Sequence, residues 1–504
     1  MRISRNLRGL SAGVVLVLAS AACQTDLDVT NPNNPDVDRA LATPEDVQNI
    51  AISSVNSWYL TSTYIEPYLA LGVTADVLSA NFGNFGMRFN NVEPRIPYGN
   101  NSAGGDREVT NRPWEDNYST LGPANDVIRV MRGGTLGDDT PHERFLHLAM
   151  WTRAASLMNL ALLFDRAFVV NEEFNPETDP APELLPFQQV ADSASKWFDE
   201  LDEASTGKTY SYVDDDPIPL EGGPLTAVKL NRIGNTMHAL LLAYTPRRAA
   251  DVAGVDWAKV KELAEKGIGE GGGTRFDMVV QGDGGTNWWS YLNYYGNEPS
   301  WVRIDVRVIN RMDGSTPAKF TGTIVPPGTS PDDRYMKAQG GDTTDTVGDF
   351  TFAGDVIGDA GRGIYMQTPW WHSRYEEHRR FSPTAAGTPV PYLLAAESDL
   401  VHAEAIIRTG GSLAEAADLI NNTRVGRGKL PAATAAEGAD KLLEYIDYER
   451  EIELMNSSGF HHFRRRHVDG LQPGTLRHLP IPAKELETLQ LPIYTFGGVG
   501  QPDM

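Results

Sequence analysis

The sequence predicts a mainly α protein, in which helical hairpins of the tetratricopeptide kind form a scaffold for an irregular, loop-rich lobe. Three observations predict it. Apolar residues recur at helical spacing through the first half of the chain and again at its end. Alanines fill many of the contact positions in those stripes, which lets paired helices approach closely, although no clean repeat of fixed length survives. Between about residues 269 and 390 the stripes disappear, and glycine, proline, threonine and aspartate take over. With 504 residues, 41% hydrophobic and 22% charged, the chain can bury a large core and has room for two or three domain-sized units.

The elements follow in order. Arg2, Arg5 and Arg8 precede a short apolar run centred on Val14 to Leu18, and Ser20, Ala21 and Ala22 lead into Cys23. Residues 1–22 therefore read as an export signal peptide. Cys23 is the only cysteine, which excludes an intramolecular disulfide and a cysteine-rich metal site. Its place directly after the small residues is that of a lipoprotein processing site, where the thiol is acylated and becomes the mature N-terminus. The leucine usual three places before such a cysteine is here Ser20, with Leu18 two residues further back. Residues 23–40 are polar and rich in turn formers, as suits a lipidated tether. The expectation is a surface protein held to a membrane by its anchor, since no later apolar run is long enough to span one.

Helices are then expected in WEDNYSTLGPANDVIRVMR, in HERFLHLAMWTRAASLMNLALLFD and in PFQQVADSASKWFDELDEA. The second has Leu157, Leu160, Ala161 and Phe164 at i, i+3, i+4 and i+7 and is apolar enough to be central. LTAVKLNRIGNTMHALLLAYTPRRA pairs with WAKVKELAEKGI across a loop. Near the end, LLAAESDLVHAEAIIRTGG stops at a glycine pair, and Ser412 caps SLAEAADLINNTRVGRGK with Glu415 at the capping-box position. Within the lobe, SWVRIDVRVI alternates enough to be strand or irregular extended chain. An irregular region this long inside a helical scaffold is more often functional than decorative.

Taken in order, these segments resemble the SusD/RagB family of nutrient-binding outer-membrane lipoproteins. RPWEDNYSTLGPANDVI is similar to the family's early helix, RFLHLAMWTRAASLMNLALLFD to its long central helix, and LTAVKLNRIGNTMHALLLAY with DWAKVKELAEKGI to its middle hairpin. AESDLVHAEAIIRTGGSLAEAADLINNTRVGRGKLP resembles its paired helices ending in an Asn-x-x-Arg run, and IDYEREIELMNSSGFHHFRRR and LPIPAKEL resemble its closing segments. In NSSGFHHFRRR the family's usual Trp after the Gly-x pair is missing. The resemblance covers the mature chain and implies one SusD-like domain over 41–504, with a scaffold at about 41–268 and 391–504 and a ligand-binding lobe at about 269–390. It further implies a binding protein, not an enzyme. Such a protein sits at the outer membrane, cell-surface exposed, and passes oligosaccharides or similar polymer fragments, peptides in some members, to a SusC-like TonB-dependent barrel transporter.

A saccharide offers apolar C–H faces ringed by hydroxyls, so its site needs flat aromatic side chains for the face and polar groups for the rim. The stretch QGDGGTNWWSYLNYYG supplies both: Trp288, Trp289, Tyr291, Tyr294 and Tyr295, with Asp283, Asn287 and Asn293 beside them. Successive side chains of extended chain alternate sides, so Trp288 and Trp289 cannot both face inward, and the remaining choice for each ring is core or ligand surface. Phe82 and Phe85 in NFGNFGMRFNN are placed in a loop as partners across a cleft, with core packing as the other reading. Trp370, Trp371 and Arg374 in TPWWHSRY read as structural.

Charge and motifs exclude other classes. The formal charge of -23 repels phosphate backbones, so nucleic acid is not an expected partner. His461, His462 and His467 in HHFRRRH lack the spacing of a zinc site and read as a helix-ending turn that packs Phe460 and Phe463 while its arginines meet local acids. No metal or cofactor is expected, although the acidic loops leave a structural calcium ion open. No GxSxG, HExxH or phosphate-binding glycine loop is present. The rival classes are a surface glycoside hydrolase, which needs two carboxylates across a cleft, and a helical scaffold that binds only protein.

Overall fold

The helix Glu143–Leu163 is apolar around its whole circumference and is buried without a break from His147 to Leu163. A helix of that kind has no solvent face and must be surrounded. The helices Pro44–Ser62, Glu108–Gly133 and Phe187–Ser205 pack around it. This computed structural model describes residues 41–134, 142–175, 178–283, 287–336, 348–380, 382 and 387–501. The expected signal peptide, Cys23 and the expected tether up to residue 40 lie outside the described residues. No described helix is long and apolar enough to cross a membrane.

Two polar side chains of the central helix are paired where they are buried. Arg153 donates to Glu172 and Glu200 at 2.5 and 2.8 Å, and Asn159 donates to Ser62 and Asn117 at 3.0 and 3.1 Å. Phe187–Ser205 buries Val190, Ala194, Trp197, Phe198 and Leu201, a single stripe at helical spacing. The expected hairpin forms from Ala227–Tyr244 and Trp257–Glu265, started by Thr226 and Asp256, whose side chains accept from the backbone N–H of Lys229 and Lys259. At the end of the chain, Ser412 accepts from Glu415 N–H at 3.3 Å and separates Ala395–Arg408 from Leu413–Arg424. Ala403, Ala416 and Ala417 lie in their shared core with Leu400, Ile406 and Ile420.

HHFRRRH forms a helix, His461–His467, rather than the turn expected from sequence. Phe460 and Phe463 are buried, with ring centroids 5.4 Å apart. Arg464 makes a forked contact with Glu397 and Arg465 meets Glu451, while Arg466 donates to the carbonyls of Leu162, Tyr244 and Arg477. Among the described residues no cluster of His, Cys, Asp or Glu has the form of a metal site.

The strands of the described residues form four antiparallel two-stranded ribbons. One pairs Met278–Gln281 with Pro389–Leu393, bringing both ends of the lobe to one place on the scaffold. A second pairs Leu78–Ser79 with Arg303–Ile304 and fastens the lobe to the N-terminal region. The lobe has a hydrophobic core of its own, built from Leu292, Ile304, Val308, Ile309, Phe350 and Trp370, joined there by Leu69, Val73 and Leu78. SWVRIDVRVI departs from expectation. Only Arg303–Ile304 is strand, and Val306–Met312 is a helix whose first turn is capped by Asp305 accepting from Arg307 N–H. A short apolar alternation does not separate the two states, and the cap decided it.

Candidate aromatic binding surface

The stretch from Gln281 to Gly296 is held at its start by one local and one long-range hydrogen bond. Asn287 N–H donates to the Asp283 carboxylate at 2.9 Å, and Asn56 of the first scaffold helix donates to the Asn287 carbonyl at 2.6 Å. Asp283 and Asn287 are exposed, and residues 284–286 lie outside the described residues. Trp288 turns toward the main core, with its ring 5.5 Å from that of buried Tyr59. Trp289 turns the other way, its ring 4.4 Å from Tyr291 and 4.6 Å from Tyr294.

Ser290 then starts a short helix, Tyr291–Gly296, by accepting from Asn293 N–H. Leu292 and Asn293 are buried, and Leu292 N–H donates to the Thr63 carbonyl at 2.7 Å. With those residues facing inward, Tyr291, Tyr294 and Tyr295 fall at i, i+3 and i+4 on the other side. All three are half-buried. Tyr295 lies 5.0 Å from Tyr294 and 5.0 Å from Trp301.

Phe82 and Phe85 complete the surface from the N-terminal region. Their rings lie nearly parallel to Trp301, at 6.1 and 5.6 Å with interplanar angles of 28° and 27°. The loop expected there is a 3-10 turn, Asn84–Gly86, running into the helix Met87–Asn90. Phe85 and Gly86 are both left-handed, with φ of 57° and 69°. A Cβ on Gly86 would lie 2.4 Å from Val109, so glycine is required at that position. At the opposite end, Tyr64 lies 4.7 Å from Tyr291, with the Arg112 guanidinium 4.0 Å from the Tyr64 ring.

Eight half-buried rings thus form one continuous belt: Tyr64, Tyr291, Trp289, Tyr294, Tyr295, Trp301, Phe85 and Phe82. The Arg380 guanidinium lies 4.9 Å from the Trp301 ring and 5.5 Å from that of Tyr295, and its backbone N–H donates to the Tyr294 carbonyl. Burial pushes the hydroxyls of Tyr64 and Tyr295 above their ordinary range. Glu66 is buried beside the belt, and its Oε2 has no hydrogen-bond partner in the protein. Burial raises its carboxyl, with Arg112 opposing.

Of the sequence-predicted residues, Trp289, Tyr291, Tyr294, Tyr295, Phe82 and Phe85 come together in the belt. Trp288 does not join it, and Asp283 and Asn287 lie at the start of the same stretch. Sequence reasoning passed over Tyr64, Trp301 and Arg380. Trp301 stands five residues beyond the quoted stretch, in a segment read as strand or irregular extended chain, whereas nothing in TSTYIEP marks Tyr64. Trp370 is buried against Tyr335 and Phe352, and Arg374 donates to Glu453. Two cavities, of about 390 and 300 Å3, open elsewhere. Arginines lining the larger are already engaged, Arg275 by Asp399 and Arg374 and Arg427 by Glu453.

Residues 275–458 match the model of the SusD family. No curated protein matches the chain. Solved structures do resemble it. A SusD superfamily protein from Bacteroides thetaiotaomicron superposes with a TM-score of 0.60 at 13% identity, covering 89% of this chain and 98% of that one. A laminarin binding SusD-like protein gives 0.58 at 13%, covering 90% and 100%. Surface glycan-binding protein A from Bacteroides uniformis gives 0.57 at 15%, covering 88% and 98%. Residues 275–458 thus match the SusD family model, and the fold of the chain is similar to that of solved SusD superfamily proteins.

Proposed function

We propose that this chain is a nutrient-binding lipoprotein of the bacterial cell surface that captures oligosaccharides on the aromatic belt and passes them to a SusC-like TonB-dependent transporter. The observation that carries the reading is the belt itself. These eight rings are half-buried and continuous, and five of them, Tyr64, Phe85, Tyr291, Tyr295 and Trp301, pack on the lobe's core with part of their surface left open. Such a surface suits a chain of sugar rings, each offering an apolar face. Stacking supplies the affinity and neighbouring polar groups the selectivity, with no covalent step. Two of the similar structures carry names that refer to laminarin and glycan binding, which supports the saccharide class. Cys23 behind its small-residue run supports a lipid anchor in the outer membrane, with residues 41–504 as the folded domain and 269–390 as its binding lobe.

One set of groups has the residue types of a serine hydrolase, a kind of hydrolase other than a glycosidase. Ser195 Oγ lies 2.6 Å from His238 Nε2, and His238 Nδ1 lies 3.9 Å from Asp199. The second distance is beyond a hydrogen bond, and Asp199 is half-exposed and drawn to Lys259 at 3.2 Å. Ser195 also sits in the interior of Phe187–Ser205, where backbone N–H groups are consumed by the helix and cannot stabilise an oxyanion. These groups do not support turnover.

The test is calorimetric titration of protein beginning at Gln24 against glucan, xylan, mannan and peptide panels, including laminarin oligosaccharides, repeated with Trp289→Ala and Trp301→Ala. Saccharide binding lost in both folded variants is expected. Unchanged binding in both, or release of shortened products, overturns the reading.

A further inference from the structure

Every ring of the belt offers a face, but a face alone does not distinguish one sugar from another. Discrimination needs a fixed polar atom that only one hydroxyl arrangement satisfies. Glu66 has the properties of such an atom. It stands between Ile65 and Pro67, on the segment that joins the first scaffold helix to Tyr68–Thr74, and only 7% of its surface is exposed. Its carboxyl takes a hydrogen bond from its own backbone N–H. Its Oε2 is buried and has no partner. The carboxyl is close enough to interact electrostatically with the hydroxyls of both Tyr64 and Tyr295, two rings of the belt.

A buried acceptor left unpaired is costly, and more so when the group is charged. Neighbouring charges do not remove that cost. Arg112 attracts the carboxyl, but Glu108 and Asp116, from the same helix as Arg112, repel it, and no hydrogen bond to Arg112 satisfies Oε2. Burial keeps the hydroxyls of Tyr64 and Tyr295, on which its charge acts, protonated. The local field therefore favours a donor arriving from outside. A carboxylate accepts only, so it selects a group with a proton to give.

We propose that Glu66 is the specificity-determining acceptor of the belt, its free Oε2 receiving a hydrogen bond from one hydroxyl of a saccharide stacked on Tyr64, Tyr291 and Tyr295. This rests on the saccharide reading given above. A hydrogen bond to an ionised acceptor is stronger than one to a neutral acceptor, so the contact is full when Glu66 is ionised and weakens when it is protonated.

The experiment titrates the parent, Glu66→Gln, Glu66→Leu and Trp301→Ala with the oligosaccharide that binds best in the glucan, xylan and mannan panels, at pH 7.5, 6 and 4.5. At pH 7.5 Glu66→Gln is expected to bind about tenfold more weakly than the parent, and Glu66→Leu more weakly still. As pH falls, the parent's affinity is expected to drop toward that of Glu66→Gln, whose own affinity stays nearly level. Equal affinity of parent and Glu66→Gln at every pH, with binding still lost in Trp301→Ala, overturns the role of Glu66 and leaves the belt standing. Absence of binding by every saccharide overturns both. The parent's own pH profile decides the matter even where a Glu66 variant fails to fold, because a flat profile excludes an ionised acceptor.

Discussion

Trp288 and Trp289, neighbours in the chain, face opposite ways: one lies 5.5 Å from Tyr59 at the main core, the other 4.4 Å from Tyr291 in the belt. The alternation of extended chain before the Ser290 cap is enough to divide them. The two residues should therefore fail differently. Trp288→Ala removes a ring packed on the core and is expected to cost about 2 kcal/mol, less than a fully buried Trp because it is half-exposed, with affinity within twofold of the parent. Trp289→Ala is expected to cost under about 1 kcal/mol of stability and to weaken saccharide binding at least tenfold. Denaturant unfolding beside calorimetric titration separates the two effects. Equal loss of affinity in both variants would remove the division argued here.

Arg334 ties the lobe to the C-terminal helices. It is buried and donates to Asp332 within the lobe and to Glu449 and Glu453 across the junction, at 2.7 to 3.1 Å. Burial alone would raise the carboxyl of Glu453, but Arg374, Arg427 and Arg334 together hold it below its ordinary range. Arg334→Met leaves these carboxylates facing one another without their shared cation. The expected cost is about 3–5 kcal/mol, read from the urea midpoint. A loss under about 1 kcal/mol, the size of an exposed pair, would mean that the network is solvated.

The buried histidines give a signed pH dependence. Burial, with Arg464 and Arg465 nearby, pushes His461 down to about 3. Its ordinary value is near 6.5, so below that pH the unfolded chain takes up a proton that the folded chain refuses. The stability that His461 supplies as a neutral group is complete above about pH 6.5 and is lost as pH falls toward 3. Several carboxyls have the opposite sign, among them Asp165, raised by burial to about 6, so the parent's total slope does not isolate this residue. The comparison with His461→Gln does. Whatever offset the variant has at pH 7.5, it is expected to gain roughly 2 kcal/mol on the parent by pH 5. A constant offset across that range would show that His461 titrates normally.

The helical scaffold was legible because its signals are local. The all-round apolarity of Glu143–Leu163, the single stripe of Phe187–Ser205 and the Ser412 cap each depend on residues within a few turns of one another. Part of the belt was legible for the same reason, since Trp289, Tyr291, Tyr294 and Tyr295 lie within seven residues. Tyr64 and Trp301 were not, because what makes them belt residues is the approach of Thr63 to Leu292 and the pairing of Leu78 with Ile304, contacts between segments more than 200 residues apart. The direction of each ring was equally out of reach. It depends on which neighbour is buried, and Leu292 and Asn293 turn the tyrosines outward only because Thr63 is there to receive them.

Two glycines in one loop give a matched test of how the Phe82–Phe85 end of the belt is held. Gly83 has φ of -76°, and nothing lies within 4 Å of a Cβ placed on it. Gly86 has φ of +69°, and a Cβ there would lie 2.4 Å from Val109 of the Glu108–Gly133 helix. Gly83→Ala fits both backbone and space and is expected to be neutral or to stabilise by about 0.4–1 kcal/mol, since it narrows the unfolded ensemble. Gly86→Ala meets strain and steric overlap together, with an expected cost of about 1–3 kcal/mol. Relief of that overlap has to move the loop, and Phe85, next in chain, moves with it away from Trp301. Saccharide affinity should therefore fall in Gly86→Ala and hold in Gly83→Ala, as calorimetry of the two folded variants would show. Full affinity in a destabilised Gly86→Ala would mean that the ligand does not use the Phe82 and Phe85 end, and that the working surface runs from Tyr64 to Trp301 alone.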